Sequence, residues 1–80
     1  MKITLQSTTK IVILKPDILT EGVPARVWFG ETESGIKVNC FITRIFINKN
    51  EPRVEEFEKE LQEQIPPTPD IEAIPGRLIL

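Results

Sequence analysis

The segment from Ala25 to Ile47 constrains this chain most. It reads ARVWFGETE-SG-IKVNCFITRIFI, two apolar-rich runs around a Ser-Gly pair. Val, Ile, Phe, Trp and Thr dominate both runs, and these residue types suit a pleated, half-buried surface. Gly accepts positive φ, so Ser34-Gly35 reads as the two-residue turn of a β-hairpin. That register sets Phe29 against Cys40, Trp28 against Phe41 and Arg26 against Thr43. One face of the hairpin then collects Ala25, Val27, Phe29, Val38, Cys40 and Ile42, which is the expected core face. The other collects Arg26, Trp28, Thr32, Lys37, Asn39, Phe41 and Thr43. A slip of one residue would exchange partners across the two faces. Ile45, Phe46 and Ile47 are apolar on both faces, so the strand is expected to run on to a covered end.

Upstream, Ile3 and Leu5 alternate with Lys2, Thr4 and Gln6, the pattern of a half-buried strand. Ser7-Thr8-Thr9 is a polar break, and Ile11 to Leu14 is a β-branched run that suits an inner strand. These stretches read as two hairpin strands. Lys15 to Pro24 holds Pro16, Asp17, Gly22 and Pro24, which marks a surface loop with Ile18 and Leu19 tucked beneath it.

Downstream, Val54, Phe57, Leu61 and Ile65 recur at spacings of three and four, which predicts a helix from Pro52 to Gln64. Asn50 is its expected N-cap, and Phe57 and Leu61 are expected to face Val27, Phe29, Val38 and Ile42. Pro66 to Gly76 reads as an extended return pinned by Ile71 and Ile74. Arg77 to Leu80 reads as a closing strand. The expected fold is one α+β domain over residues 1–80, a mostly antiparallel sheet of about five strands with one amphipathic helix on one face.

Charge is uneven. Residues 1–50 carry seven Lys and Arg against four Asp and Glu, whereas residues 51–72 carry two against eight. The acidic segment would repel phosphate, which argues against general DNA binding. The single cysteine, Cys40, allows no internal disulfide and no Cys-based zinc site, and the absence of histidine removes the usual nucleophile–base pairs. Four scattered glycines form no phosphate-cradling loop. Glu31 and Glu33 lie two apart on one strand, which reads as the charged flank of a turn. No catalytic residue, metal or cofactor is expected. With no long apolar run there is no expected membrane span or signal peptide, and the expected setting is the cytoplasm.

The expected binding surface is the outward hairpin face. Trp28 and Phe41 form an aromatic platform beside Arg26, Lys37, Asn39 and Thr43, a combination that stacks a base and holds a phosphate. Thr8, Thr9, Lys10 and Lys15 are secondary candidates for an anionic ligand. The competing expectation is that the same apolar face is a subunit interface in a homo-oligomer.

Four stretches carry a resemblance: MKITLQSTTKIV, ARVWFGETESGIKV with FITRI, FEKELQE and IEAIPGRLIL. Together they resemble short proteins encoded in phages and prophages, although the LKPDILTEG loop is longer than that likeness leads one to expect. The resemblance implies an intracellular protein of an infected bacterium that counters host defence by stoichiometric binding. It would sequester a signalling nucleotide or inhibit a host protein, the latter through the outward hairpin face or the acidic helix bearing Glu55, Glu56, Glu58, Glu60 and Glu63.

Overall fold

The structure, a computed structural model, describes residues 1–15 and 21–73, and the backbone of 77–79. In chain order it contains β1 (Ile3–Lys15), β2 (Val23–Thr32), β3 (Lys37–Ile42), α1 (Val54–Leu61), α2 (Pro69–Glu72) and β4 (Arg77–Ile79). The fold is α+β. The sheet order is β3-β2-β1-β4, with the first three strands antiparallel and β4 parallel to β1. Among the described residues there are thus four strands and two short helices, rather than five strands and one helix. The expected positions of Ile18, Leu19 and Ile74 lie outside the described residues.

The hairpin turn is longer by one residue than the Ser-Gly pair suggests. Gly35 takes φ +88°, the Thr32 amide donates to the Ile36 carbonyl at 3.0 Å, and the Gly35 amide donates to the Thr32 carbonyl at 3.0 Å. This is a three-residue loop closed by a glycine in the left-handed region. The register moves by one: Trp28 pairs with Cys40, Val27 with Phe41, Phe29 with Asn39 and Glu31 with Lys37. Partners directly opposite share a face. Lys37, Asn39 and Phe41 therefore join Val27 and Phe29, while Val38, Cys40 and Ile42 join Trp28 and Arg26.

β3 stops at Ile42, and a proline accounts for the stop. The Thr32–Ile36 pair is hydrogen-bonded, and bonded pairs alternate with non-bonded ones, so Gly30–Val38, Trp28–Cys40 and Arg26–Ile42 are the bonded pairs. The next bonded pair would set Pro24 against Arg44, and proline has no amide to donate. Ile45 and Phe46 consequently leave the sheet and stay exposed, Phe46 at 90%.

β1 is one strand of 13 residues, not two. The polar stretch that suggested a turn is a bulge: β1 pairs with β2 through Ser7, loses register, and resumes at Ile11 opposite Arg26. By the same alternation the Val27 carbonyl points at β1, just where the bulge withdraws the backbone. The Thr8 hydroxyl fills that gap, donating to the Val27 carbonyl at 2.7 Å and accepting from the Lys10 amide at 3.2 Å. At Gly30, any Cβ would lie 1.7 Å from the Thr4 carbonyl oxygen, so only glycine admits this approach of β1 to β2.

The core lies on the face shared by Val12, Ala25 and Val27, with Leu14 and Phe29 packed against it. Its plug is Ile71, on the short α2 and only 2% exposed. Thr68 caps α2 by accepting from the Ile71 amide, and Pro69 at the first helical position is pre-set for the turn. The pinning expected of Ile71 is realised, within a helical turn rather than an extended segment.

The amphipathic helix does not do what its stripe suggests. α1 spans eight residues and buries none of them; Val54 and Leu61 are exposed and Phe57 is half-buried. Phe57 and Leu61 do not cover the Val12–Val27 core. Arg53, not Asn50, stands at the N-cap, because an earlier turn captures Asn50: the Asn48 side-chain oxygen accepts from the Asn50 amide at 2.9 Å. Past α1 the chain runs along the free edge of β1, where the Ile65 amide donates to the Ser7 carbonyl and its carbonyl accepts from the Thr9 amide. It then reaches α2 on the core face and returns as β4 beside Ile13 to Lys15.

Candidate functional site

The one-residue shift divides the expected site between the two faces of the sheet. Arg26, Trp28 and Thr43 remain together and line a groove of about 320 Å³ on the face opposite the core. Lys37 and Asn39 line a different groove, of about 490 Å³, on the core face beside α2. Phe41 lies on that second face and is not a cross-strand partner of Trp28.

The Trp28 groove is built by strand termination. Because β3 ends at Ile42, the chain turns across the sheet at Thr43, and Arg44 and Ile45 line the cleft with Ile11 of β1 and Leu61 of α1. Arg26 is held in place from below. Its guanidinium Nη1 donates to the Thr8 carbonyl at 2.9 Å and to Gln64 Oε1 at 3.3 Å. Ser7 Oγ donates to the Glu63 carbonyl at 3.0 Å, which ties the segment after α1 to the floor of the same cleft. The result is a groove lined by the half-buried Trp28 together with Arg26, Thr43 and Arg44, with no carboxylate among the described lining residues. Arg44 escaped the sequence reading because a strand running on to Ile47 would have carried it onto the core face with Ile42. The signal was present in Pro24, whose missing amide ends the ladder.

The core-face groove has the opposite electrostatics. Lys37 Nζ is already paired with Glu31 Oε2 at 2.9 Å, and Asp70 adds a carboxylate beside Gln6, Phe29 and Asn39. Its charged lining residues leave a net negative balance, which disfavours an anion. The secondary candidates have structural roles instead. Thr8 is fully buried in the bulge, the Thr9 amide bonds to Ile65, Lys10 Nζ reaches the Glu72 carbonyl at the end of α2, and Lys15 is buried where β1 meets β4.

A small cleft of about 310 Å³ beside α1 is lined by Glu51, Arg53, Glu56 and Glu60. The Arg53 guanidinium donates to Glu51 Oε1 at 2.6 Å and holds the Glu51 carboxyl below its ordinary value. Glu55, Glu56, Glu58, Glu60 and Glu63 are all exposed. Among the described residues, no group of three or more His, Cys, Asp or Glu is arranged to hold a metal ion, and no helix is long and apolar enough to cross a membrane. Cys40 is free and half-buried beside Trp28's face of the sheet. Comparison with protein-family models, curated proteins and solved structures finds no match to this chain.

Proposed function

We propose that this chain is a non-catalytic binding protein whose Trp28 groove takes an anionic ligand with a planar ring, the chemical class of a nucleotide. The supporting observation is that Trp28, Arg26, Arg44 and Thr43 line one cleft, without a carboxylate among its described lining residues. An indole stacks any base, and guanidinium groups bind phosphate through charge-assisted, forked hydrogen bonds. Arg26 is pre-oriented by Thr8 and Gln64, so less side-chain entropy is lost on binding. The groove is of the size small-molecule sites begin at, roughly 300 Å³.

The resemblance to phage and prophage proteins supplies the setting we infer. The chain would sequester a signalling nucleotide used in host defence, stoichiometrically and in the cytoplasm of an infected bacterium. The exposed acidic surface of α1 favours a second reading, inhibition of a host protein with a basic groove.

A panel of linear and cyclic nucleotides, tested by thermal melting and Trp28 fluorescence, separates these readings. A ligand at a hundred times its Kd stabilises the fold by about 2.7 kcal/mol. For a domain of this size that raises Tm by roughly 10–20 °C, at about 4–8 °C per kcal/mol. Absence of any shift and of any change in indole emission across the panel would overturn the nucleotide reading.

A further inference from the structure

We infer that β3 pairs antiparallel with β3 of a second copy, in a register centred on Asn39. The starting point is backbone accounting. β3 closes the sheet on one side, and among the described residues nothing pairs with its outer edge. The alternation set by the Thr32–Ile36 bond turns the amides and carbonyls of Val38, Cys40 and Ile42 inward to β2. Those of Lys37, Asn39 and Phe41 point outward. Two copies can therefore bond only through these odd-numbered residues. Centring on Asn39 matches all three of them, Asn39 with Asn39 and Lys37 with Phe41, closing about six hydrogen bonds.

The side chains agree with that register on both faces. On the Trp28 face, Val38 would meet Cys40 of the second copy, and Ile36, which is 62% exposed, would meet Ile42. Every contact there is apolar. On the core face, each Lys37 would lie across a Phe41 ring that is otherwise 38% exposed. The lysine stem can cover the ring while its ammonium stays with Glu31, 2.9 Å away. The two Lys37 side chains stand about four residues apart along the strands, roughly 13 Å, so no like charges face each other. An exposed lysine often protects an edge strand from pairing. Here the ion pair to Glu31 and the facing aromatic ring remove that obstacle. The pairing also brings Ile36 of the second copy against Ile42, which lines the Trp28 groove, so the assembly would add a wall to that groove.

Sedimentation and amide exchange, measured from about 10 µM to about 1 mM, read this directly, because that range spans association energies of only roughly 4–7 kcal/mol. A concentration-dependent dimer is expected. The amides of Lys37, Asn39 and Phe41 should exchange at least about tenfold slower in the dimer, while those of Val38, Cys40 and Ile42 are protected at both concentrations. Asn39→Pro removes an amide that β2 does not use, so it should leave a folded monomer. Phe41→Lys, which sets lysine against lysine, should weaken association independently if the proline variant fails to fold. A protein that stays monomeric at the highest concentration with all three outward amides exchanging freely overturns the pairing. So does a folded Asn39→Pro or Phe41→Lys variant that dimerises as tightly as the parent.

Discussion

Replacing Thr8 by Val tests whether a side-chain hydroxyl carries the β1–β2 ladder across the bulge. The two side chains have nearly the same shape, and Thr8 is fully buried, so packing changes little. What is lost is the donor 2.7 Å from the Val27 carbonyl and the acceptor 3.2 Å from the Lys10 amide. Val27 is itself fully buried, and its carbonyl has no route to water. Stranding one such group costs about 1–3 kcal/mol. The methyl that replaces the hydroxyl returns about 0.8 kcal/mol of apolar burial. A net loss of up to about 2 kcal/mol would lower Tm by as much as about 15 °C at 4–8 °C per kcal/mol. Circular-dichroism melts measure the loss, and exchange of the Lys10 amide locates it. Thr8→Ser keeps the hydroxyl and should leave that amide protected. A Thr8→Val protein melting within about two degrees of the parent, with the Lys10 amide still protected, would refute the reasoning, since shifts that small correspond to less than about 0.5 kcal/mol.

Ile71→Ala should destabilise the domain by about 2–5 kcal/mol in denaturant unfolding, clearly more than Phe57→Ala, because Ile71 is 2% exposed whereas α1 buries no residue; a larger loss for Phe57→Ala would mean that α1 and not α2 plugs the core. Trp28→Ala should weaken a nucleotide ligand by roughly 5- to 150-fold in calorimetry, the equivalent of one stacked base at about 1–3 kcal/mol, and Arg44→Ala should flatten the salt dependence of the same binding. The Glu51 carboxyl is held below its ordinary value of 4.5 by the Arg53 hydrogen bond. Its contribution is therefore present above that value and lost as pH falls through the lowered one. Chemical shifts should place the Glu51 titration below that ordinary value, and Arg53→Ala should move it back up toward it.

Much of the architecture could be read from residue order, and the errors have local causes. The inner position of β1, the hairpin, the closing strand and the pinning by Ile71 all follow from β-branched runs bounded by Gly and Pro. The register did not, because a Ser-Gly pair fits both a two-residue turn and the tail of a three-residue loop, and only the Gly35 φ distinguishes them. That single residue decides which face Lys37, Asn39 and Phe41 occupy, and so removes half of the expected site from the other half. The Ser7-Thr8-Thr9 stretch reads as a turn by composition, since nothing local reveals that a hydroxyl will stand in for a missing backbone donor. The stripe on α1 is a genuine period of 3.6 residues, but a four-residue segment held by Thr68 and Pro69 reached the core instead.

The path around β1 bears on how the chain folds. β1, β2 and β3 are consecutive and antiparallel, so their pairing needs only short connections to close. The outer side of β1 is closed by Ile65 and β4, and the Ser7–Glu63 bond there joins residues 56 positions apart. Closing so long a loop is entropically slower than forming a hairpin. During refolding, β1 should therefore wait, already paired with β2, with its other side bare and without Ile71 over the apolar face. Such a state adds strands from neighbouring molecules readily. Recovery of native protein from denaturant should fall as chain concentration rises, even under conditions where the folded protein stays dissolved.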